Sequence, residues 1–231
     1  LIPSHRYSGI LTEPSFYHPA FEEAFRFIID EYQVPERDTG LFLPCSMQKP
    51  FSNSPSHILF DKAIFSELTP DEVHIVVFGS CGVVPRELER MYPFTHYRYM
   101  FGRCTDPRIK RDFYAIEVFR LVRYLEKTQS KYRRRIAYCL GGFRKAMLQA
   151  SCLSGIPVCV LPSDERIALN LRGNLKFPQG SLNMDLYLQE LRTVLRTGRD
   201  RGQQVSDSSN ILGHSENCDH LTESLTRSIT S

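Results

Sequence analysis

Gly40-Leu41-Phe42-Leu43-Pro44-Cys45-Ser46-Met47-Gln48-Lys49-Pro50-Phe51-Ser52-Asn53-Ser54-Pro55-Ser56-His57 decides how this chain is read. The apolar start predicts a short buried strand over 41–43. The next stretch, from Pro44 to His57, packs one thiol, one amine, one imidazole, four hydroxyls and three prolines into fourteen residues. Prolines restrict the path of such a loop, so few backbone states compete with the one that presents the polar groups. Ligands of α/β proteins usually bind at the carboxyl ends of strands, where this loop would lie. A Ser/Pro-rich surface loop with an incidental cysteine fits the spacing equally well.

Outward from that loop, helical and strand patterns alternate. Phe21, Ala24, Phe25, Ile28, Ile29 and Tyr32 recur at helical spacing and stop before Pro35. His57, Phe60, Asp61 and Ile64 mark a short helix with the imidazole in its first turn. The unbroken apolar run Val73–Gly79 has the look of a strand covered on both faces. Segment 85–92 reads as a helix with proline in its first turn, and 94–100 as a further strand. A helix through Phe113 to Leu125, a strand at 135–140, a helix at 143–152, a strand at 157–161 and a helix at 182–195 complete the pattern. Strands alternating with helices predict a single three-layer α/β domain with a mainly parallel sheet.

At 231 residues the chain can bury a real core. Its 42% apolar and 24% charged residues are ordinary for a globular protein. The domain is expected over 14–197, with a Gly/Gln/Ser/Asp/Asn-rich tail over 198–231 expected to be disordered. No apolar run nears the ~20 residues that span a bilayer, so no membrane partner is expected. The seven cysteines are odd in number and scattered, which suits a reducing cytoplasm, and Cys139, Cys152 and Cys159 lie in apolar runs expected to be buried. No pair has C-x-x-C spacing, no cluster suits iron–sulfur ligation, and no Gly-rich phosphate loop is present. No metal and no cofactor are therefore expected.

The net charge of +3 is unevenly placed. Six bases and no acids lie between Lys131 and Lys145, with Tyr132, Tyr138 and Phe143 among them. Lys131, Arg133, Arg134 and Arg135 are the expected RNA contacts in that stretch. A second basic stretch holds Arg98, Arg103, Arg108, Lys110 and Arg111. Either could equally be a solvated face.

The loop resembles the signature of the archaeosine synthases, archaeal tRNA-modifying enzymes: Pro-Cys, three residues, Lys-Pro-Tyr, two residues, Ser, two residues, His. Pro44, Cys45, Lys49, Pro50, Ser54 and His57 fall in register, and Phe51 replaces the tyrosine. A second block, Gly82-Val83-Val84-Pro85-Arg86-Glu87-Leu88-Glu89 with Tyr92-Pro93 and Tyr97, also resembles the core domain of that family. Cys81 departs from the family's Ser-Pro-Leu-Gly. The resemblance covers roughly 14–196 and implies a fold like that of the uracil-DNA glycosylases.

It also implies a reaction: addition of an amine donor, lysine or another amine, to the nitrile of the 7-cyano-7-deazaguanine base in the D-loop of archaeal tRNA. A thiolate adds to a nitrile to give a thioimide that an amine can displace, so Cys45 is the candidate nucleophile. Lys49 or a protonated His57 would lower its pKa, or His57 would take the proton of the incoming ammonium. Ser46, Ser54, Gly82, Arg86 and Glu87 are the candidate substrate contacts, the second block supplying amides at a helix start for an anion.

Duller roles stay open for these residues. Cys45 could pack under the loop while the amine attacks directly, Lys49 could hold a phosphate, and His57 could orient the loop. Arg86 and Glu87 could pair with each other. The family's transglycosylase-like and PUA domains do not fit in this length, which implies a partner subunit or an excised fragment. A non-catalytic tRNA-binding subunit and a nucleobase glycosylase are the alternative functions.

Overall fold

A computed structural model describes residues 10–171 and 179–204 of the chain. Its centre is strand β2 (Val73–Gly79), buried along its whole length. β2 lies parallel to β1 (Arg37–Pro44), with Leu41 opposite Ile75 and Leu43 opposite Val77. β1 pairs in parallel with β4 (Tyr132–Tyr138), which pairs in parallel with β5 (Cys159–Leu161). The short β3 (Gly82–Pro85) folds back antiparallel on β2, giving the order β3-β2-β1-β4-β5. The expected α/β domain with a mainly parallel sheet is the one observed.

Helices cover both faces, because the strands bury alternate apolar side chains on each. Phe42 and Val76 look toward α1 (Pro19–Asp30), α3 (Pro107–Lys127) and α4 (Gly141–Ser154), where Phe21, Leu121 and Met147 meet them. Leu41, Leu43 and Ile136 face α2 (Pro55–Phe65), α5 (Asp164–Leu171) and α6 (Asp185–Gln204), packing on Phe60, Ile167 and Leu191. α1, α2 and α3 start alike: proline in the first turn, with a capping side chain before it. His18 accepts from the Ala20 amide, Ser54 from His57 and Asp106 from Arg108.

Several expectations need correction. Segment 85–92 is not a helix: Gly82–Pro85 pairs with β2, and only a three-residue 3-10 turn at Arg86–Leu88 comes after it. The reason is the reversal made by Gly79 (φ +129°) and Gly82 (φ +79°), which returns the chain along the strand it has just left. Segment 94–100 is not a strand either. β3 already occupies that sheet edge, and 94–100 makes one isolated bridge, between Tyr97 and Leu11. Cys159 is exposed rather than buried, and Cys152 is only half-buried. α5 has no counterpart among the expected elements. α6 starts at Asp185 and continues past 195 to Gln204; the expected tail from 205 onward lies outside the described residues. Among the described residues no helix is long and apolar enough to cross a membrane.

Candidate active site

The loop after β1 begins by extending the sheet. The Cys45 amide donates to the Phe78 carbonyl at 2.8 Å, which fixes Cys45 at the carboxyl end of the two central strands. Its sulfur lies against the backbone of Gly79, where a Cβ would come within 2.9 Å of Sγ and 2.8 Å of the Phe143 ring. The β2–β3 turn then brings buried Cys81 to Cys45. That turn is pinned from two sides: the Ser15 hydroxyl donates to the Ser80 carbonyl, and the Phe101 amide donates to Ser80 Oγ at 3.3 Å. Buried Tyr97 lies beside both sulfurs, and Lys49 Nζ lies 3.8 Å over the Tyr97 ring while donating to the Met47 carbonyl at 3.0 Å.

This arrangement divides two thiols into different protonation states. A hydrogen bond from Cys81, with backbone hydrogen bonds at Ser80 and Cys81 and the Lys49 charge, outweighs burial and brings the Cys45 pKa down to about 6. Burial, reinforced by the neighbouring Cys45 sulfur, pushes Cys81 well up. At pH 7 Cys45 is therefore mostly thiolate, against a few per cent for an unperturbed thiol. Lys49, the expected cation, is held beside it. Its own pKa is lowered by burial.

Two groups that sequence reasoning missed lie behind the sulfur. Glu117 of α3 is 1% exposed, and neither of its carboxyl oxygens has a well-aligned hydrogen-bond partner. Burial, helped by the Cys45 charge and opposed by Arg120, pushes its pKa up to about 8. Arg120, equally buried, reaches Glu22 at 3.4 Å, while its Nε and Nη1 have no partner among the described residues.

Glu117 binds a proton in the folded chain and not in the unfolded one between about pH 4.5 and 8, so its contribution lowers stability as pH rises through that window. Cys45 has the opposite sign: its depressed pKa adds stability as pH rises from about 6. The difference between Glu117→Gln and wild type isolates the first effect. In paired thermal melts Glu117→Gln should gain on wild type from pH 5 to pH 8; a constant difference would contradict the raised pKa.

His57 is brought to the loop, where its ring engages the backbone and Arg86. It is fully buried, one ring nitrogen engages the Pro44 carbonyl at 2.9 Å, and the other lies 3.2 Å from Arg86 Nη2. Burial and the Arg86 charge lower its pKa to about 4, so the imidazole is neutral at pH 7 and does not supply a second cation to the thiolate. The carbonyl contact ties the first turn of α2 to Pro44, the residue before Cys45. Arg86 is held by Asp61 at 2.8 Å, and Glu87 accepts from Tyr32 and from His74 at 3.0 Å, so the two do not pair with each other. Ser54 caps α2 and Ser46 donates to the Gln48 carbonyl at 2.9 Å. Gly82 lies in the turn over Arg120, at the start of a strand rather than of a helix. The expected anion site made by helix-start amides is therefore not formed there.

A family model described as a domain of unknown function, DUF5591, matches residues 23–164. The chain belongs to that family. The matched DUF5591 segment contains the whole arrangement from Cys45 to Glu117. The chain is also 35% identical over 98 residues to an archaeosine synthase subunit alpha of Methanosarcina acetivorans, covering 42% of this chain and 16% of that protein. It is 40% identical over 100 residues to an archaeosine synthase of Haloferax volcanii, covering 42% and 15%. The match thus spans about one sixth of the length of these relatives. The crystal structure of AF0587, a protein of unknown function, overlays with a TM-score of 0.48 at 17% identity, over 81% of this chain and 51% of that one.

In this DUF5591 chain the basic run on β4 is engaged within the protein. Lys131 pairs with Glu36 at 2.9 Å and Arg133 with Asp38 at 2.9 Å. Arg134 donates to Thr39 Oγ1 and to the carbonyls of Val194 and Leu195. Buried Arg135 donates to the carbonyls of Thr128 and Gln129. These side chains close the end of the sheet onto α3 and α6, a use that the charge pattern could not reveal.

Proposed function

We propose that this domain carries out the nitrile-addition chemistry of archaeosine formation on tRNA, with Cys45 as the nucleophile. The observation that carries the reading is the placement of Cys45 at the carboxyl end of the two central strands, beside Lys49 and Cys81, which lower its pKa, in a chain similar to part of the archaeosine synthases. The Cys45 sulfur attacks the nitrile carbon of the 7-cyano-7-deazaguanine nucleotide, forming a C–S bond and breaking one C≡N π bond. The nitrogen takes one proton from Glu117, the protonated carboxyl packed behind the sulfur. The amine donor, lysine, then attacks the thioimide carbon and gives one proton back to the Glu117 carboxylate. The C–S bond breaks, Cys45 leaves as thiolate, and an amidine remains. No redox cofactor is consumed.

Lys49 keeps the leaving thiolate charged and stable. His57 and Arg86 hold the loop in place for the attack. One of the matched relatives is named a subunit alpha, which supports a partner subunit here. Incubating the 231-residue chain with nitrile-bearing tRNA and labelled lysine should put label on the tRNA. Tight tRNA binding with no label would favour a non-catalytic subunit, and a released free base would favour a glycosylase.

A further inference from the structure

The segment after Tyr97 borders a cleft of about 250 Å³, lined by Thr12, Met47, Arg98, Tyr99, Met100, Arg103 and Cys104. Met47 belongs to the Cys45 loop, and Phe101, between Met100 and Arg103, is tied by its amide to Ser80 in the turn beside the two thiols. The cleft therefore opens next to the Cys45 site. Its two cations are exposed, and among the described residues neither makes an ion pair. Arg108, Lys110 and Arg111, on the first two turns of α3, are likewise exposed and, among the described residues, outside the ion pairs. From Arg98 to Asp112 there are five cations against two acids, and both acids are occupied: Asp106 caps α3 and Asp112 accepts from Tyr17.

At β4, by contrast, the cations from Lys131 to Arg135 are paired with carboxylates or carbonyls of the chain. Unpaired arginines beside a reacting site are available to anions, and a guanidinium grips phosphate oxygens in two places. A row of such cations, running from the cleft onto a helix start, has the form of a track for a polyanion rather than a pocket for one carboxylate.

We propose that the Arg98–Arg103 cleft and the adjoining start of α3 bind the phosphodiester backbone of RNA and so deliver a nucleotide to Cys45. The inference rests on the proposed action on tRNA, and its test separates the two. Fluorescence-detected binding of tRNA to the full chain is measured from about 50 to 300 mM salt, a range over which phosphate contacts are read out. The proteins compared are wild type, Arg98→Ala/Arg103→Ala, Arg98→Lys/Arg103→Lys and Lys131→Ala/Arg133→Ala. Both arginines are exposed, so melting temperature should not change and serves as the folding control. The alanine pair should weaken binding roughly ten- to hundredfold at about 150 mM and flatten the slope of log K against log salt by about 2, one unit per lost phosphate.

The lysine pair should keep most of the slope, and the β4 pair should bind as wild type does. An unchanged slope in the alanine pair, or a loss confined to the β4 pair, would overturn the cleft assignment. Labelled-lysine transfer that persists in the alanine pair with an unchanged KM would remove the surface and leave the chemistry standing. Failure of wild type to transfer lysine, with the binding shifts as expected, would remove the chemistry and leave the RNA track.

Discussion

Replacing Cys45 with serine should lower lysine transfer to nitrile-bearing tRNA by about 10³-fold or more, while tRNA affinity stays within about twofold of wild type. The large effect comes from the loss of the bond-forming atom: a serine hydroxyl in the same place is neutral at pH 7 and a much weaker nucleophile. Only the chemical step is removed, so binding should persist. Alkylation gives the same answer without substrate. Because the Cys45 pKa is depressed to about 6, its reaction with iodoacetamide should rise through pH 6 and level off near pH 7. Cys139, buried and raised to about 12, should stay unreacted across that range. A serine variant with wild-type turnover would leave direct attack by the amine as the surviving route.

Gly79→Ala should be strongly destabilising although it adds a single methyl. The added Cβ would stand 2.8 Å from Phe143 and 2.9 Å from Cys45 Sγ, at a φ of +129° that side chains rarely adopt. Overpacking and backbone strain together should cost about 2–4 kcal/mol, read in urea melts. The sulfur must also move off the position where Cys81 donates to it, so alkylation of Cys45 should shift to higher pH. A variant with wild-type stability and wild-type alkylation would mean that the sulfur is not seated on the Gly79 backbone. By contrast, a Cβ at Gly155 would meet no atom within 4 Å, and only its left-handed backbone (φ +66°) would be strained.

The centre of the sheet is legible in the sequence and its edge is not, for a physical reason. Val73–Gly79 is apolar without a break because both faces are covered, and its bounds agree with the expected ones. Helix α2 is also legible, since Ser54-Pro55 is a cap and a first-turn proline in succession. At the edge, Pro85 reads as a helix start although Gly79 and Gly82 frame a two-residue turn, a hairpin signal at that spacing. Proline is tolerated there because β3 is the edge strand.

The site divides the same way. Cys45 and Lys49 are close in sequence, and the loop keeps them close. Cys81 stands out in sequence only as a departure from the family pattern, yet its thiol is the largest influence on Cys45. Glu117 reads in sequence as one more charged residue on an amphipathic helix. Its burial depends on the β2–β3 turn that covers it, which no local pattern encodes. The same limit explains β4: Asp38 on the neighbouring strand, not any sequence neighbour, takes up Arg133 and Arg134.

Trapping the adduct shows whether Cys45 bonds covalently to the nitrile carbon. The full chain is incubated at pH 7 with nitrile-bearing tRNA and no amine donor, then treated with nuclease and protease and analysed by mass spectrometry. The peptide containing Cys45 should carry the mass of the modified nucleotide as a thioimide, and adding lysine should discharge it onto the tRNA. The adduct should be absent from Cys45→Ser. Lysine transfer at full rate with Cys45 unmodified throughout would rule out the covalent route.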